Sequence, residues 1–445
     1  MEIVIKIVQF ILSFSLLVLI HEFGHFIAAR AFGIRVEKFY LFFNPWFSLV
    51  KIKGRRTEFG IGWVPFGGYC KIAGMIDESM DTEQLKQPPQ SDEYRSKPAW
   101  QRLLVISGGV IMNIILALII YTGISYVWGD DFFAGKDIRY GYAFSQAGRE
   151  IGFENGDKIV GINGRSVERY NNVYMDMVLK RRPKVEIERT GELVTLALSD
   201  DDAAAILTSG EPLLRPRTPF VVEDVLAGGG AAGAGIVPGD SLVALDGTPL
   251  GFADQYLDAF KAHSGQTVEV TLVRDSAGTA LRQTLPVAVS DKGTIGISYY
   301  LFDRYIPLTT LRYNFWQSIP AGFNRTGLEV SNYWKQFELL FRPKVKAYKS
   351  LGGPIAIGNI FPSYWSLEAF WRITAFLSIV LAVMNILPIP GLDGGHILFL
   401  LVEVITGRKP SDKFLETVQW IGLILIFTLI SFATGNDIYR LFLKG

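Results

Sequence analysis

The sequence predicts a polytopic α-helical membrane protein with four transmembrane helices, a membrane-associated β-hairpin after the first helix, and two extracytoplasmic α+β modules between the second and third. Three observations carry this. The chain has 445 residues, 49% of them hydrophobic, and a mean hydropathy of +0.26, which is too long for one domain and too apolar for an ordinary soluble protein. Four apolar runs, at about 3–27, 103–127, 373–390 and 418–434, are long enough to cross a bilayer. A glycine-rich pattern recurs at an offset of 83 residues in the polar stretch between the second and third runs.

The first run leads without a break into His21-Glu22-Phe23-Gly24-His25. If the run is helical, residues four apart share a face, so His21 and His25 offer two imidazole nitrogens to one zinc, and Glu22 lies beside them as a candidate general base. The chain contains only four histidines, and ionisable groups at the edge of a membrane core point to function. The front end, with Lys6 as its one basic residue, lacks the charged region of a cleaved leader, and Ala28-Ala29-Arg30-Ala31 is a poor cleavage site. The first run is therefore expected to stay as a span.

Residues 28–102 hold twelve Lys or Arg, so this loop is expected in the cytoplasm and both termini outside. Arg408, Lys409 and Lys413 between the third and fourth runs fit the inside again. The first and third spans then run in the same direction, and what ends the third can lie level with His21. That end reads Asn385-Ile386-Leu387-Pro388-Ile389-Pro390-Gly391-Leu392-Asp393-Gly394-Gly395-His396. Unwound backbone at membrane depth is tolerated only where protein or a cavity covers it, and Asp393 supplies a hard third ligand. Two histidines, one aspartate and an open position suit a catalytic Zn2+. His396 is a rival or supporting residue, His263 lies far away in the repeat region, and the single Cys70 excludes a disulfide framework within the chain.

Leu49 to Lys53 alternates, Gly54-Arg55-Arg56 reads as a turn, and Thr57 to Val64 reads as the returning strand. Such a hairpin beside the zinc would offer Ile61 and Val64 as an edge for an unwound substrate, or would only anchor the loop. Residues 76–99, with Pro88, Pro89 and Pro98, read as a mobile cytoplasmic loop. Ser107, Gly108 and Gly109 suit close packing in the second span. In the repeat, Gly152 to Gly164 aligns with Gly235 to Gly247, and each copy precedes a helix candidate, Tyr170 to Leu179 and Ala253 to Ala262. Both copies look like the core of a PDZ module. Domains are expected at 1–128 (two spans and the hairpin loop), 129–218 and 219–300 (the modules), 301–370 (amphipathic outer-surface helices) and 371–445 (two spans).

Taken together, H-E-x-x-H in the first span, N-x-x-P-x-P-x-L-D-G in the third and tandem PDZ-like modules between the second and third resemble the bacterial site-2 protease family over nearly the whole chain. The resemblance implies a zinc intramembrane metalloprotease of the bacterial inner membrane, acting in a stress response, with periplasmic termini and modules. It implies substrates that are single-span membrane proteins, such as a pre-trimmed anti-sigma factor or signal-peptide remnants. It also implies a role for Asn385 near the substrate or the developing oxyanion, and modules that act as a size filter or substrate gate. Lipid is the expected surrounding. No basic stripe with interleaved aromatics points to nucleic acid. One departure from the family's G-P-x-x-N is Val110 in Gly109-Val110-Ile111-Met112-Asn113, which bears on local helix shape. A membrane scaffold with structural zinc fits less well, because it needs no acid beside an open ligand position. An ion transporter fits less well too, because the four spans show no inverted repeat.

Overall fold

The computed structural model describes residues 1–75, 87–276, 278–345 and 352–443. They form two compact units, one comprising Met1–Gly129, Arg312–Glu338 and the described residues 352–443, the other Asp130–Leu311 with 339–345.

In the first unit, four helices are long and apolar enough to cross a membrane: Glu2–Ala31, Ala99–Val127, Leu367–Ile386 and Lys413–Tyr439. The third differs from the expected 373–390. It starts where the Ser366 hydroxyl accepts the Ala369 N–H at 3.2 Å, and it stops at Ile386 because Pro388 forces extended backbone onto Leu387. Beyond the proline turn a further helix, Asp393–Thr406, fills what reads in sequence as a linker. The helix Ala99–Val127 passes unbroken through Val110.

Small residues set the spacing of the first two spans. A Cβ on Gly24 would collide with the Gly108 carbonyl, and one on Gly108 would sit 2.5 Å from the Gly24 oxygen. Backbones in this contact approach as closely as van der Waals radii allow. Hydrogen bonds then tie three spans together: Thr374 Oγ1 donates to Ser13 Oγ at 2.9 Å, Ser378 Oγ to the Asn113 carbonyl at 2.7 Å, and Gln9 Nε2 to the Pro362 carbonyl at 2.9 Å. Arg102 of the second span pairs with Glu403 of the helix Asp393–Thr406.

The expected hairpin is a four-stranded sheet. Strands Val36–Phe43, Val50–Lys53, Glu58–Ile61 and Val64–Ile72 lie in the spatial order second, third, first, fourth. Val36–Phe43 shows no apolar alternation, since Phe39 to Phe43 is one continuous apolar run, and so it is silent to a period-two search. Its presence corrects the edge assignment. Ile61 is opposite Val50 on one side and Leu41 on the other, so its strand is interior, whereas Val64 opens the strand Val64–Ile72, whose outer edge has no strand partner among the described residues. The sheet's 43–49 end is aromatic, with Phe47 stacked on Trp63 at 5.6 Å and Trp46 91% exposed. Of the polar loop expected over 76–99, residues 76–86 lie outside the described residues. The remainder holds one short 3-10 turn, Tyr94–Ser96. In the region expected to form outer-surface helices lie Phe315–Leu339, aromatic on one flank, and Pro354–Asn359, whose Gly353 and Ala356 N–H groups donate to Asp437 at 3.0 Å.

The second unit contains the repeat. Strands Lys158–Ile162, Arg165–Ser166, Lys184–Arg189 and Glu192–Ala197 form one sheet, and Ser241–Leu245, Thr248–Pro249, Thr267–Ser276 and Thr279–Ala288 form another in the same spatial order. Helices Tyr170–Leu179 and Ala253–Ala262 occupy equivalent places. Each copy buries one aspartate and ties it with one arginine. Arg189 bonds Asp157 at 2.8 and 2.7 Å, and Arg274 bonds Asp240 at 2.7 and 2.6 Å; Asp157 also accepts the Glu154 N–H, and Asp240 the Val237 N–H, each at 2.9 Å. These carboxylates hold both guanidinium groups above their ordinary range. Asn163 and Asp246 take positive φ, 55° and 47°, in the turns that close the first strand of each copy.

Because Asp240 is fully buried, Arg274→Ala leaves an uncompensated carboxylate and is expected to cost about 3 kcal/mol. Limited proteolysis of the intact protein checks this: cuts should concentrate in 219–300 and spare 130–217, and unchanged resistance in 219–300 would refute the assignment.

Candidate active site

His21 and His25 are on one face of the first span, and the proline-broken turn after the third span brings Asp393 to them. His21 Nε2 is 3.2 Å and His25 Nε2 3.4 Å from Asp393 Oδ2, and the two Nε2 atoms are 3.3 Å apart. Among the described residues this is the one group of three or more His, Cys, Asp or Glu gathered closely enough to hold a metal. Both histidines are buried, and Asp393 Oδ2 is a buried oxygen without a hydrogen-bond partner.

These distances fit zinc. Ligand bonds of about 2.0–2.1 Å in a tetrahedron give edges of about 3.3–3.4 Å, close to the triangle of the three facing atoms. Three lone-pair-bearing atoms at that spacing leave one corner of the tetrahedron for a fourth ligand.

The other imidazole nitrogens are also held. His25 Nδ1 donates to the Val105 carbonyl at 2.9 Å, which leaves its Nε2 lone pair facing the triangle. Asn113 Nδ2 lies 3.1 Å from His21 Nδ1, and Asn113 Oδ1 is buried without a partner. Amide nitrogen and oxygen positions follow from the hydrogen-bond network, and with the two exchanged the Asn113 side-chain carbonyl accepts Nδ1–H of His21, which leaves His21 Nε2 free to ligate. Gly109 makes the space, since a Cβ there would lie 2.5 Å from His21 Cε1 and 2.6 Å from His25 Nε2. In the sequence, Gly109 stands out for close packing and Gly109-x-x-x-Asn113 for its missing proline, and neither signal points to the histidines. Read as i, i+4 on a helix, the pattern puts a glycine and an amide on one face toward the histidines.

Asn385, on the last turn of the third span, has its Nδ2 3.4 Å from His21 Nε2. Glu22, next to His21 on the same helix, borders the group and faces the strand Val64–Ile72 of the sheet. Gly68 fits between sheet and span, because a Cβ there would lie 2.8 Å from Val18 and 3.6 Å from Glu22 Cγ. The strand begun by Val64 therefore runs beside Glu22, while Ile61 is two strands away. His396 is outside the metal group, and His263, which donates Nδ1–H to the Ala259 carbonyl at 2.8 Å, belongs to the second unit.

Comparison with known proteins agrees with this chemistry. A model described as peptidase family M50 matches residues 9–429. The chain is 28% identical to the regulator of sigma E protease of Haemophilus influenzae, with 97% of this chain and 98% of that one covered. It is 28% identical to a candidate zinc metalloprotease of Vibrio cholerae, covering 99% and 100%, and 26% identical to protease RseP of Yersinia pestis, covering 99% and 100%. With a family match that reaches from the first span into the fourth and a three-ligand group inside it, the chain belongs to peptidase family M50 and is a zinc metalloprotease.

Proposed function

We propose that this protease cuts single-span membrane proteins inside the membrane, in regulated intramembrane proteolysis. His21, His25 and Asp393 hold the zinc, and Glu22 is the general base. The observation that supports this most is the triangle of ligand atoms, 3.2 to 3.4 Å on a side, built on a helix apolar enough to span a bilayer. The names of the Haemophilus influenzae and Yersinia pestis relatives favour a substrate of the anti-sigma factor type, and signal-peptide remnants share its single-span form.

Bound zinc lowers the pKa of water toward ~7 and polarises a carbonyl. The residues of the chain supply the rest. Glu22 takes the proton of the attacking water and hands it to the leaving amine nitrogen. Asn385 donates its side-chain N–H to the carbonyl oxygen as negative charge develops there. A peptide bond inside a helix is closed to attack, so the substrate must unwind. The outer edge of Val64–Ile72, which has no strand partner among the described residues, offers main-chain partners to the unwound segment within reach of Glu22. Residues 129–218 and 219–300 are read as PDZ modules facing the periplasm, with the 28–102 loop in the cytoplasm. They exclude substrates whose outer domains are still attached.

Three experiments test these parts. Glu22→Gln should lower cleavage of a tagged single-span substrate by about 10²–10⁴-fold while zinc per purified chain stays unchanged; full activity in a zinc-loaded variant would remove Glu22 as the base. A cysteine at position 64 should cross-link to a cysteine near the substrate's cut site, and one at position 61 should not; equal yields would end the edge-strand assignment. Deleting 129–300 should allow cleavage of an untrimmed substrate, and continued rejection of that substrate by a membrane-inserted, zinc-loaded deletion would defeat the size filter.

A further inference from the structure

A cavity of 270 Å³ opens where the first span ends against the sheet. The helix contributes Phe26 and Arg30, and the turn between Val50–Lys53 and Glu58–Ile61 contributes Arg55 and Arg56, with Phe59 behind them. Among the described residues no carboxylate lines it, and the side chains of Arg30, Arg55 and Arg56 make no ion pair or hydrogen bond. Elsewhere in the same unit, the arginines near this face are matched: Arg35 with Glu37 and Asp92, Arg95 with Glu93, and Arg102 with Glu403. The turn itself is fixed, because Gly54 N–H donates to the Thr57 carbonyl at 2.9 Å and the buried Thr57 hydroxyl donates to the Val36 carbonyl at 2.8 Å. Three arginines without an acidic partner, lining one cavity on a fixed turn and a helix end, make a site for an anion with several oxygens.

Its depth identifies the carrier of that anion. A 30-residue helix is about 45 Å long, the thickness of a bilayer with both headgroup layers, so Arg30 in its last turn is at headgroup level. The sheet has the same polarity, with its aromatic end about 13 Å from its basic turn across strands of four residues. From the cavity an apolar strip leads outward: Phe26 packs on Phe59 at 5.9 Å and stacks on Phe23 at 6.2 Å, and Phe23 and Ile27 are exposed on the flank of the span. A free phosphate needs no such strip, whereas a lipid needs one for its acyl chains.

We propose that Arg30, Arg55 and Arg56 bind the headgroup phosphate of an anionic phospholipid in the leaflet at the Ala31 end of the first span. The lipid bridges the end of that helix and the turn of the sheet. The inference goes beyond the proteolytic reading and does not depend on it.

The test uses the full chain in nanodiscs of phosphatidylcholine with or without a minor fraction of phosphatidylglycerol, and counts lipid retained by native mass spectrometry. Zinc content reports folding. The intact protein should retain phosphatidylglycerol. Each of R30Q, R55Q and R56Q should weaken retention about fivefold, and R55Q/R56Q about twenty-five-fold. R55K/R56K keeps the charge and loses the paired donors, so its retention should lie between the two; if the glutamine pair loses zinc, the lysine pair decides. Retention by the variants equal to that of the intact protein, or equal retention of phosphatidylcholine, overturns the proposal. Inorganic phosphate added at millimolar concentration should leave the lipid in place; displacement by it would make this a free-phosphate site and equally overturn the proposal. Cleavage is not the readout, so failure here and failure of the protease assignment remain distinguishable.

Discussion

The contact between Gly24 and Gly108 is the constraint on which the catalytic geometry rests. Lipid gives helices little hydrophobic reason to associate, so close backbone approach and interhelical hydrogen bonds must supply the attraction. Here that approach does a second job. With the backbones this near, the Val105 carbonyl reaches His25, Asn113 reaches His21, and the absence of a side chain at Gly109 leaves room for both rings. A wider separation would leave the imidazoles rotating freely, and the same two histidines would no longer be pre-oriented as ligands.

The third ligand is positioned by a different device. Pro388 ends the third span, the turn through Gly391 reverses the chain with φ of +88°, and Asp393 emerges as the first residue of the next helix. A carboxylate there is favoured by the positive end of that helix, even before a metal is considered. The Arg102–Glu403 pair secures the same helix to the second span nearly three turns further on. The site thus joins one rigid helix face to one rigid turn, each held by its own contacts.

Much of this was legible in the residues because the relevant signals are local. The i, i+4 histidines, the proline-broken end of the third span and the 83-residue repeat each report on a short stretch of chain. The repeat's arginine partners were not seen, because Arg189 and Arg274 lie more than thirty residues from the aspartates they hold. The sheet was misjudged for a related reason. Its strand Val36–Phe43 pairs in parallel with Glu58–Ile61, a contact that no hairpin rule anticipates, and the insertion turned Ile61 from an edge into an interior position. The helix Asp393–Thr406 was missed because an apolar segment of 14 residues is too short to announce itself as a span. The role of Asn113 needed the neighbouring helix in place before its side chain had anything to face.

The fourth span touches this assembly through backbone. A Cβ on Gly422 would strike the Pro390 carbonyl, and Gly391 lies against the same helix. Side chains absorb small displacements by rotating, but a peptide group pressed against a peptide group has no such give. A sideways load on the last helix would therefore be passed by backbone contact to the turn that carries Asp393, which makes that helix a mechanical lever on the metal site.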